Sequence, residues 1–177
     1  MSYSKEKYQE SIADTKEHFG LKNELEVPKI EKISLNVGIK AVDSDNKFLY
    51  YLQNQLSLIA GQKAVLTNAR KSIAGFKLRE GSAIGCKVTL RKTKMYNFLD
   101  KLVYVALPRI RDFRGLKAKN FNQSFHYSFG IKEHNIFPDI DLDDVTKVFG
   151  MNINIAIKAN SKEQAQFLLK KLNFPIK

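Results

Sequence analysis

Apolar and polar residues alternate in three segments of the chain, residues 27–39, 84–91 and 151–159. Strict alternation predicts β-strands that are buried on one face only. The residues predicted to face the core are Ile33, Leu35, Val37 and Ile39, then Cys86, Val88 and Leu90, then Ile153, Ile155 and Ile157. Two shorter strands are predicted over residues 62–67 and 125–131. On the opposite face, the first two strands carry small, polar or basic residues, including Asn36, Lys87 and Thr89.

Apolar residues spaced three and four apart predict four helices, over residues 4–19, 43–60, 93–107 and 161–172. In the first helix the apolar stripe is thin and consists of Tyr8, Ile12 and Phe19. The second and third helices have fuller stripes, formed by Phe48, Leu49, Leu52, Leu56 and Ile59, and by Met95, Phe98, Leu99, Leu102, Val103 and Ala106.

Residues with capping or terminating chemistry flank these helices. The predicted N-caps are Ser4, Asp43 or Ser44, and Ser161, which has Gln164 at capping-box spacing. The predicted stops are Gly20, Gly61 and Pro108.

The predicted order is helix, strand, helix, two strands, helix, two strands, helix, without regular βαβ repetition. This order predicts an α+β fold, in which helices cover one face of a mostly antiparallel sheet. The length of 177 residues predicts one domain, residues 1–177, with an N-terminal helical arm, residues 1–20. Either residues 73–79 and 84–91 pair as a hairpin, or residues 70–83 form a long mobile loop. A protruding basic loop over residues 70–85 with a partly formed hairpin is favoured.

The formal net charge is +12, and such a surface attracts polyanions such as RNA, DNA or an anionic membrane. The basic residues concentrate in two clusters. The first contains Arg70, Lys71, Lys77, Arg79, Lys87, Arg91, Lys92 and Lys94, and the second contains Arg109, Arg111, Arg114, Lys117 and Lys119.

A charge cluster is usually a solvated face, but three features of the first cluster favour RNA binding. The charges are concentrated, glycines and Phe76 interrupt them, and they adjoin a sheet face with hydrogen-bonding side chains. Acidic residues gather separately in residues 133–145, which either face a basic protein or form a loop that RNA repels.

The sequence contains no constellation typical of an enzyme, a metal site or a cofactor site. Its histidines, His18, His126 and His134, lack metal-ligand spacing, and the GxxxxGK[ST] phosphate loop is missing. The acidic segment lacks the glycine and terminal glutamate of an EF-hand. No apolar run approaches the roughly 20 residues of a membrane span. A single cysteine, Cys86, fits a reducing compartment, so a cytoplasmic, non-catalytic protein is expected.

Four segments carry a family resemblance: KISLNVGI (residues 32–39), NARKSIAGFKLREGSAIGCKVTLR (68–91), MYNFLDKLVYVALPRIRDFRGL (95–116) and HNIFPDIDLDDV (134–145). They resemble the bacterial large-subunit ribosomal protein five family, which binds 5S rRNA. The resemblance extends over nearly the whole chain, and several motifs in the same order make it specific.

The resemblance implies a concave antiparallel sheet that holds 5S rRNA in the central protuberance of the large ribosomal subunit. Large-subunit rRNA and other central-protuberance proteins are further implied partners. The residues that match the family's rRNA-contact positions are Asn36, Gln62, Phe76 and Thr89, with Arg79, Lys87 and Arg91 beside them.

The resemblance also implies two partners beyond the rRNA. The loop over residues 70–85 is expected to reach the elbow of the P-site tRNA, through Arg70, Lys71, Lys77, Arg79 and Gly81. Small-subunit ribosomal protein thirteen is expected across an intersubunit bridge. Candidate bridge residues are Arg109, Arg111, Arg114, Asp143 and Asp144.

The chain departs from the family pattern in two places. Ala64 stands where a proline is usual, which is expected to loosen the turn before the second strand but to spare Gln62. In FNQSFHY (residues 121–127), Phe125 and His126 replace a small residue and an amide. The conformation of that loop is therefore left open.

Overall fold

The computed structural model describes residues 2–39, 46–141, 143 and 145–177. Its helices and strands follow the predicted order. They are α1 (Tyr3–Phe19), β1 (Lys29–Gly38), α2 (Asn46–Ala60), β2 (Val65–Asn68), β3 (Ala83–Leu90), α3 (Lys92–Asp100), β4 (Tyr127–Ile131), β5 (Met151–Lys158) and α4 (Lys162–Lys171). The predicted caps Asp43 and Ser44 lie outside the described residues.

The five strands form an antiparallel sheet in the order β2-β3-β1-β5-β4, which confirms the α+β class. The partner of β3 on its outer side is β2, with Val65 opposite Lys87 and Thr67 opposite Gly85. The predicted hairpin between residues 73–79 and 84–91 is therefore wrong. Within the connecting loop the pairing is limited to one isolated bridge between Ile73 and Leu78.

The chain forms two compact units. The first unit comprises residues 1–33, 91–129 and 154–177, and the second comprises residues 34–90 and 130–153. The single domain expected from the length stays a prediction.

In the second unit, α2 packs on β2 and β3. The apolar stripe of α2 is buried as predicted, although Phe48 is only half-buried. Gly61 ends the helix in a left-handed conformation, with φ of 62°. The inward residues of β3 are Cys86, Val88 and Leu90, and all are buried. Burial raises the pKa of the Cys86 thiol to about 11, so this cysteine is a neutral core residue.

In the first unit, α1 packs against α3 and α4 partly through the predicted stripe, since the Tyr8 ring meets the Tyr96 ring of α3 and the Phe19 ring meets the Phe167 ring of α4. Its buried residues are Ser4, Ser11 and Thr15, whereas Tyr8, Ile12 and Phe19 are half-buried. The Ser11 hydroxyl donates to the carbonyl of Tyr8 (2.8 Å) and the Thr15 hydroxyl to the carbonyl of Ser11 (2.6 Å). Because these hydroxyls are satisfied by their own helix, small polar side chains can form a buried face.

The start of α1 is held by Asp100, the last residue of α3. Its carboxylate accepts hydrogen bonds from the Ser2 hydroxyl (2.6 Å), the Ser4 backbone N–H (2.8 Å) and the Ser4 hydroxyl. A negative charge at a helix N-terminus is favourable because it meets unpaired N–H groups and the positive end of the helix dipole. The prediction that Ser4 caps this helix is wrong, because Ser2 is the N-cap and Ser4 lies inside the first turn.

The third predicted helix changes form near its end. After α3 the chain continues as π-helix over Lys101–Ala106 and ends in a 3-10 turn, Leu107–Arg109. We attribute the wider turn to Pro108, which has no N–H to donate and whose ring clashes with the carbonyl four residues earlier. All six residues predicted to face inward are nevertheless buried.

The last helix begins with the predicted capping contacts. The Ser161 hydroxyl accepts from the backbone N–H of Gln164 (3.2 Å), and the Gln164 carboxamide oxygen accepts from the backbone N–H of Asn160 (3.0 Å). The Ser161 cap predicted for α4 is confirmed, whereas the return bond of the capping box comes from the N–H of Asn160 and not from that of Ser161.

The segment that departs from the family pattern forms a tight turn. The Asn122 carboxamide oxygen accepts from the His126 backbone N–H (2.8 Å), and the Asn122 N–H donates to the His126 carbonyl (3.0 Å). Phe125 takes up the left-handed conformation, with φ of 60°. This conformation favours glycine, so the turn keeps a glycine-like backbone without a glycine.

His134 is a fully buried histidine in the second unit. Its Nδ1 accepts from the Phe149 backbone N–H (3.3 Å), and its ring stacks on the Phe149 ring with centroids 3.8 Å apart. The proton of the neutral ring therefore resides on Nε2, 3.5 Å from the Tyr51 hydroxyl. Burial lowers the pKa of His134, because the charged imidazolium loses its hydration.

We expect the free energy of unfolding to fall as the pH drops below the unfolded imidazole pKa of about 6.5. The unfolded chain then binds a proton that folded His134 resists, so stability is highest above this pH and is lost toward the lower folded pKa. Urea unfolding from about pH 8 to about pH 5 measures the effect. His134→Gln should flatten this slope. His18→Gln, at an exposed histidine of α1 whose ring stacks on Phe167, is the matched control, and equal slopes in wild type and His134→Gln would contradict the assignment.

Candidate nucleic-acid interface

The second unit exposes one face of β1, β2 and β3. Asn36 is half-buried and Lys87 and Thr89 are exposed, whereas their apolar neighbours along the strands are buried. The alternation predicted from the sequence is confirmed for both strands. Residues opposite each other in an antiparallel pair share a face. The register therefore adds residues of β2, so the face includes Val65, Thr67, Gly85, Lys87 and Thr89.

Gly85 allows β3 to lie close against β1. A Cβ atom at this position would lie 2.2 Å from the carbonyl oxygen of Val37 and 3.3 Å from the Thr67 hydroxyl oxygen. No side chain fits at position 85, because its Cβ atom would overlap the Val37 carbonyl oxygen. Beyond the end of β1, the Ile39 N–H donates to the carbonyl of Ile84 (2.8 Å), which continues the pairing.

Gln62 lies beside the end of the same face. Its carboxamide Nε2 donates to the carbonyl oxygen of Thr89 (3.3 Å), and its side chain is half-buried. Ala64 is fully buried, its N–H donates to the Ser57 hydroxyl (2.9 Å), and its carbonyl accepts from Gln53 (2.7 Å). A proline could not make the first of these bonds. The expected loosening of this turn is therefore wrong, and Gln62 sits on a well-anchored segment.

The basic loop between β2 and β3 is closed at its base. The Ala69 N–H donates to the Ser82 carbonyl (2.8 Å), and the Gly81 N–H donates to the Ala69 carbonyl (3.0 Å). Gly81 has a φ of 81°, a conformation that favours glycine. Inside the loop, Ile73 and Leu78 exchange two backbone hydrogen bonds of 2.9 and 3.1 Å. The loop is thus internally bonded along its length.

The tip of this loop combines an aromatic ring with positive charge. Phe76 is 70% exposed at the end of the 3-10 turn Ala74–Phe76, and Lys77 follows in a left-handed conformation with φ of 52°. The other basic residues of the loop, Arg70, Lys71 and Arg79, are also exposed. An exposed ring among cations is chemistry suited to stacking on a nucleotide while binding phosphate.

The predicted site residues divide between the two units. The second unit holds Asn36, Gln62, Phe76, Arg79, Lys87, Thr89, Arg70, Lys71, Lys77 and Gly81. The first unit holds Arg91, Arg109, Arg111 and Arg114, all exposed. Asp143 is exposed in the second unit, and Asp144 lies outside the described residues.

Sequence reasoning missed one apolar member of the sheet face. Val65 is 58% exposed and faces the same side as Lys87. Its exposure follows from the β2–β3 register, which local alternation could not supply because β2 is only four residues long. An exposed valine offers a surface for the apolar edge of a ribose.

The described residues offer no cluster of metal ligands. Among residues 2–39, 46–141, 143 and 145–177, no group of three or more His, Cys, Asp or Glu side chains could hold a metal ion. In the same part of the chain, no helix has the length and apolar character needed to cross a membrane.

Comparison with known proteins identifies the family. The profile described as "Ribosomal protein L5" matches residues 23–79, and a second profile, which describes the C-terminus of the same ribosomal family, matches residues 83–176. The chain belongs to the ribosomal protein L5 family. It is 51% identical over 176 residues to "Large ribosomal subunit protein uL5" of Clostridium botulinum (strain Eklund 17B / Type B), covering 99% of this chain and 98% of that relative.

Two further relatives of the same name are as similar. The protein of Shewanella sp. (strain ANA-3) is 50% identical over 173 residues, covering 97% of both chains. The protein of Marinomonas sp. (strain MWYL1) is 49% identical over 178 residues, covering 100% of this chain and 99% of the relative. This L5 family member is thus a structural protein of the large ribosomal subunit in the cytoplasmic ribosome, and not an enzyme.

Gly85→Ala should destabilise the second unit strongly, by about 1–3 kcal/mol or more, because the new methyl group overlaps the Val37 carbonyl. The free energy of unfolding in urea measures this cost. Gly75→Ala is the matched control, since nothing lies within 4 Å of a Cβ atom there and its φ is not left-handed. If both variants were equally stable, β3 would not approach β1 as described.

Proposed function

We propose that this L5 family member binds 5S rRNA on the exposed face of β1, β2 and β3 and helps to attach it to the large subunit. The observation that carries the proposal is the arrangement of Asn36, Lys87 and Thr89 on one open face, with Gln62 hydrogen-bonded to the Thr89 carbonyl. These positions match the family's rRNA contacts, as the sequence motifs imply.

The chemistry of this face suits RNA of a defined shape. Amide and hydroxyl groups at Asn36, Gln62 and Thr89 can bond to ribose hydroxyls and phosphate oxygens, which tells RNA from DNA. Lys87 and Arg79 contribute attraction to the phosphate backbone. Because the face lies on paired strands, its groups are held in place before RNA arrives, and less conformational entropy is lost on binding.

The basic loop is the proposed contact with P-site tRNA. Arg70, Lys71, Lys77 and Arg79 would meet the tRNA backbone, and Gly81 provides the bend at the base of the loop. Support comes from the internal hydrogen bonds of the loop and from the exposure of all four charges. Because its backbone is hydrogen-bonded internally, the loop can hold these charges in a fixed position where a tRNA would meet them.

For the intersubunit bridge to small-subunit ribosomal protein thirteen, the proposed surface is the acidic segment that includes Asp143 and Asp144. Glu133, Asp141 and Asp143 are exposed in the second unit. The alternative candidates, Arg109, Arg111 and Arg114, have the opposite charge and belong to the first unit. The acidic set suits a basic partner surface and the arginines suit an acidic one, because opposite charges attract across an interface.

Replacing Asn36 and Thr89 together by alanine should weaken binding to 5S rRNA by roughly 1–3 kcal/mol for each lost polar contact. Filter binding or fluorescence titration with 5S rRNA, beside an unrelated RNA of equal length and over a salt series, measures the change. Wild type should keep its preference for 5S rRNA at high salt, where attraction to phosphate is screened, and the double variant should lose that preference.

The matched control is Thr93→Ala with Asn97→Ala, two exposed residues of the same types in the first unit. Unfolding curves verify that both double variants are folded. If a folded Asn36→Ala, Thr89→Ala protein bound 5S rRNA as tightly as the control, the sheet face would not be the 5S rRNA site.

Phe76→Ala should lower the affinity for 5S rRNA by about 1–3 kcal/mol, because stacking of the exposed ring on a nucleotide is lost. The free energy of unfolding should hardly change, since the ring is 70% exposed. Tyr50→Ala removes another exposed ring, which is 64% exposed on α2, and should leave the affinity unchanged. If Phe76→Ala and Tyr50→Ala bound 5S rRNA with equal affinity, Phe76 would not be part of the interface.

A further inference from the structure

Two polar side chains of α2, Gln53 and Ser57, bind the backbone of Ala64, just before β2 begins. The Ser57 hydroxyl accepts from the Ala64 N–H (2.9 Å), and the Gln53 carboxamide Nε2 donates to the Ala64 carbonyl (2.7 Å). These three residues are here called the amide clamp. Because Ala64 is fully buried, water cannot take the place of either side chain. The clamp therefore satisfies both backbone groups of one buried residue.

The two α2 residues of the amide clamp also bind each other. Gln53 and Ser57 are one helical turn apart, and the Ser57 hydroxyl donates to the Gln53 carbonyl (2.5 Å). A serine hydroxyl carries one proton, so this bond leaves its lone pairs free to accept from the Ala64 N–H. Without the hydroxyl, the Ala64 N–H would be buried without an acceptor.

Ser57 also fixes the residue that comes two positions before Ala64. The Gln62 N–H donates to the Ser57 carbonyl (3.3 Å), and the Gly61 N–H donates to the Leu58 carbonyl (3.3 Å). With Gly61 in the left-handed conformation, this pair of bonds is a Schellman ending of α2. Ser57 thus holds the chain on both sides of residue 63, through its carbonyl at Gln62 and its hydroxyl at Ala64.

The Gln62 side chain has a defined orientation in the structure. Its Nε2 donates to the Thr89 carbonyl of β3 (3.3 Å), so the amide nitrogen faces β3 and the carboxamide oxygen faces away. Among the described residues, this oxygen has no hydrogen-bond partner. It can therefore accept a hydrogen bond from a ribose hydroxyl, which DNA lacks.

A glutamine side chain is placed accurately only when its backbone is fixed. Glutamine has large rotamer freedom, and ordering it on binding costs conformational entropy. Gln62 itself lies in neither a helix nor a strand, since α2 ends at Ala60 and β2 begins at Val65. Its position therefore depends on the hydrogen bonds that α2 makes to residues 62 and 64.

We propose that Gln53 and Ser57 are positioning residues for RNA binding, which hold the segment 62–64 so that Gln62 presents its carboxamide oxygen to 5S rRNA. This inference rests on the proposed function, because it needs 5S rRNA on the sheet face. Neither residue has to touch the RNA, since each acts through the backbone of the segment that carries Gln62. The preference for one RNA then depends on two side chains of a helix outside the interface.

The test is a titration of the full chain with 5S rRNA over a salt series. Gln62→Ala should weaken binding about tenfold, because one polar contact is lost. Ser57→Ala should weaken it about three- to tenfold, because the carboxamide must be ordered on binding. In both variants the slope of log K against log salt should stay unchanged, since no charge that neutralises a phosphate is removed.

A double-mutant cycle separates positioning from general stabilisation. Ser57→Ala combined with Gln62→Ala should bind like Gln62→Ala alone, because no carboxamide remains to be positioned. Ser57→Thr keeps the hydroxyl and should retain the wild-type affinity. Gln53→Ala leaves the Ala64 N–H paired, so it provides a second test if Ser57→Ala is unstable, and it should weaken binding in the same way. Asn54→Ala, an exposed amide of the same helix, is the matched control.

Unfolding midpoints show which variants are folded, and three outcomes would overturn the inference. In the first, folded clamp variants bind 5S rRNA as tightly as Asn54→Ala. In the second, the losses from Ser57→Ala and Gln62→Ala add, so that Ser57 acts independently of Gln62. In the third, Gln62→Ala binds like wild type. If the wild-type chain showed no preference for 5S rRNA over an unrelated RNA, the proposed function itself would be refuted, so the two failures are distinguishable.

Discussion

The close approach of β3 to β1 at Gly85 is the constraint on which the rest of the second unit depends. With the Val37 carbonyl oxygen 2.2 Å from where a Cβ atom would lie, this register exists only with glycine. Side chains alternate with a period of two, so a slip of one residue would exchange the buried and exposed faces of β3. Lys87 and Thr89 would then point inward, and Cys86 and Val88 outward. A residue without a side chain thus decides which side chains the open face of the sheet presents.

The same strand pair explains the position of the basic loop. β2 and β3 are antiparallel neighbours, and residues 69–82 connect them, with the base closed by bonds between Ala69, Gly81 and Ser82. The register of β2 against β3 therefore determines the direction in which the loop leaves the sheet. Many of its backbone N–H groups donate within the loop, so these groups need no partner from the core. Arginine, lysine and phenylalanine side chains are left to point outward.

Periodicity predicted the order of elements and most of the buried residues of β1, β3, β5, α2 and α3, because each of these buries apolar side chains at regular spacing. Periodicity failed where a segment buries polar side chains, or where the residue that it contacts is distant in sequence. The fully buried residues of α1 are Ser4, Ser11 and Thr15, whose hydroxyls bond the helix or Asp100, so apolar spacing could not identify them. The cap from Asp100 lies 96 residues from Ser4 in sequence. The pairing of β3 with β2, and not with residues 73–79 as predicted, likewise depends on contacts between segments that are distant in sequence.

Charged residues and neutral polar residues differ in what they could contribute to RNA binding. The charges supply attraction to any RNA, and the neutral groups supply preference for one RNA. The +12 charge draws any RNA and weakens with salt, because released counterions supply that part of the affinity. Asn36, Gln62 and Thr89 are neutral, so they add little at long range and their contacts are hardly screened. Any preference for one RNA must come from such groups, held at fixed spacing on paired strands. Cations attract a phosphate backbone that is the same in every RNA, so they add affinity without preference. A face of neutral polar groups can therefore select one RNA only where few cations stand on it, because attraction to any phosphate backbone would otherwise exceed the selective contacts.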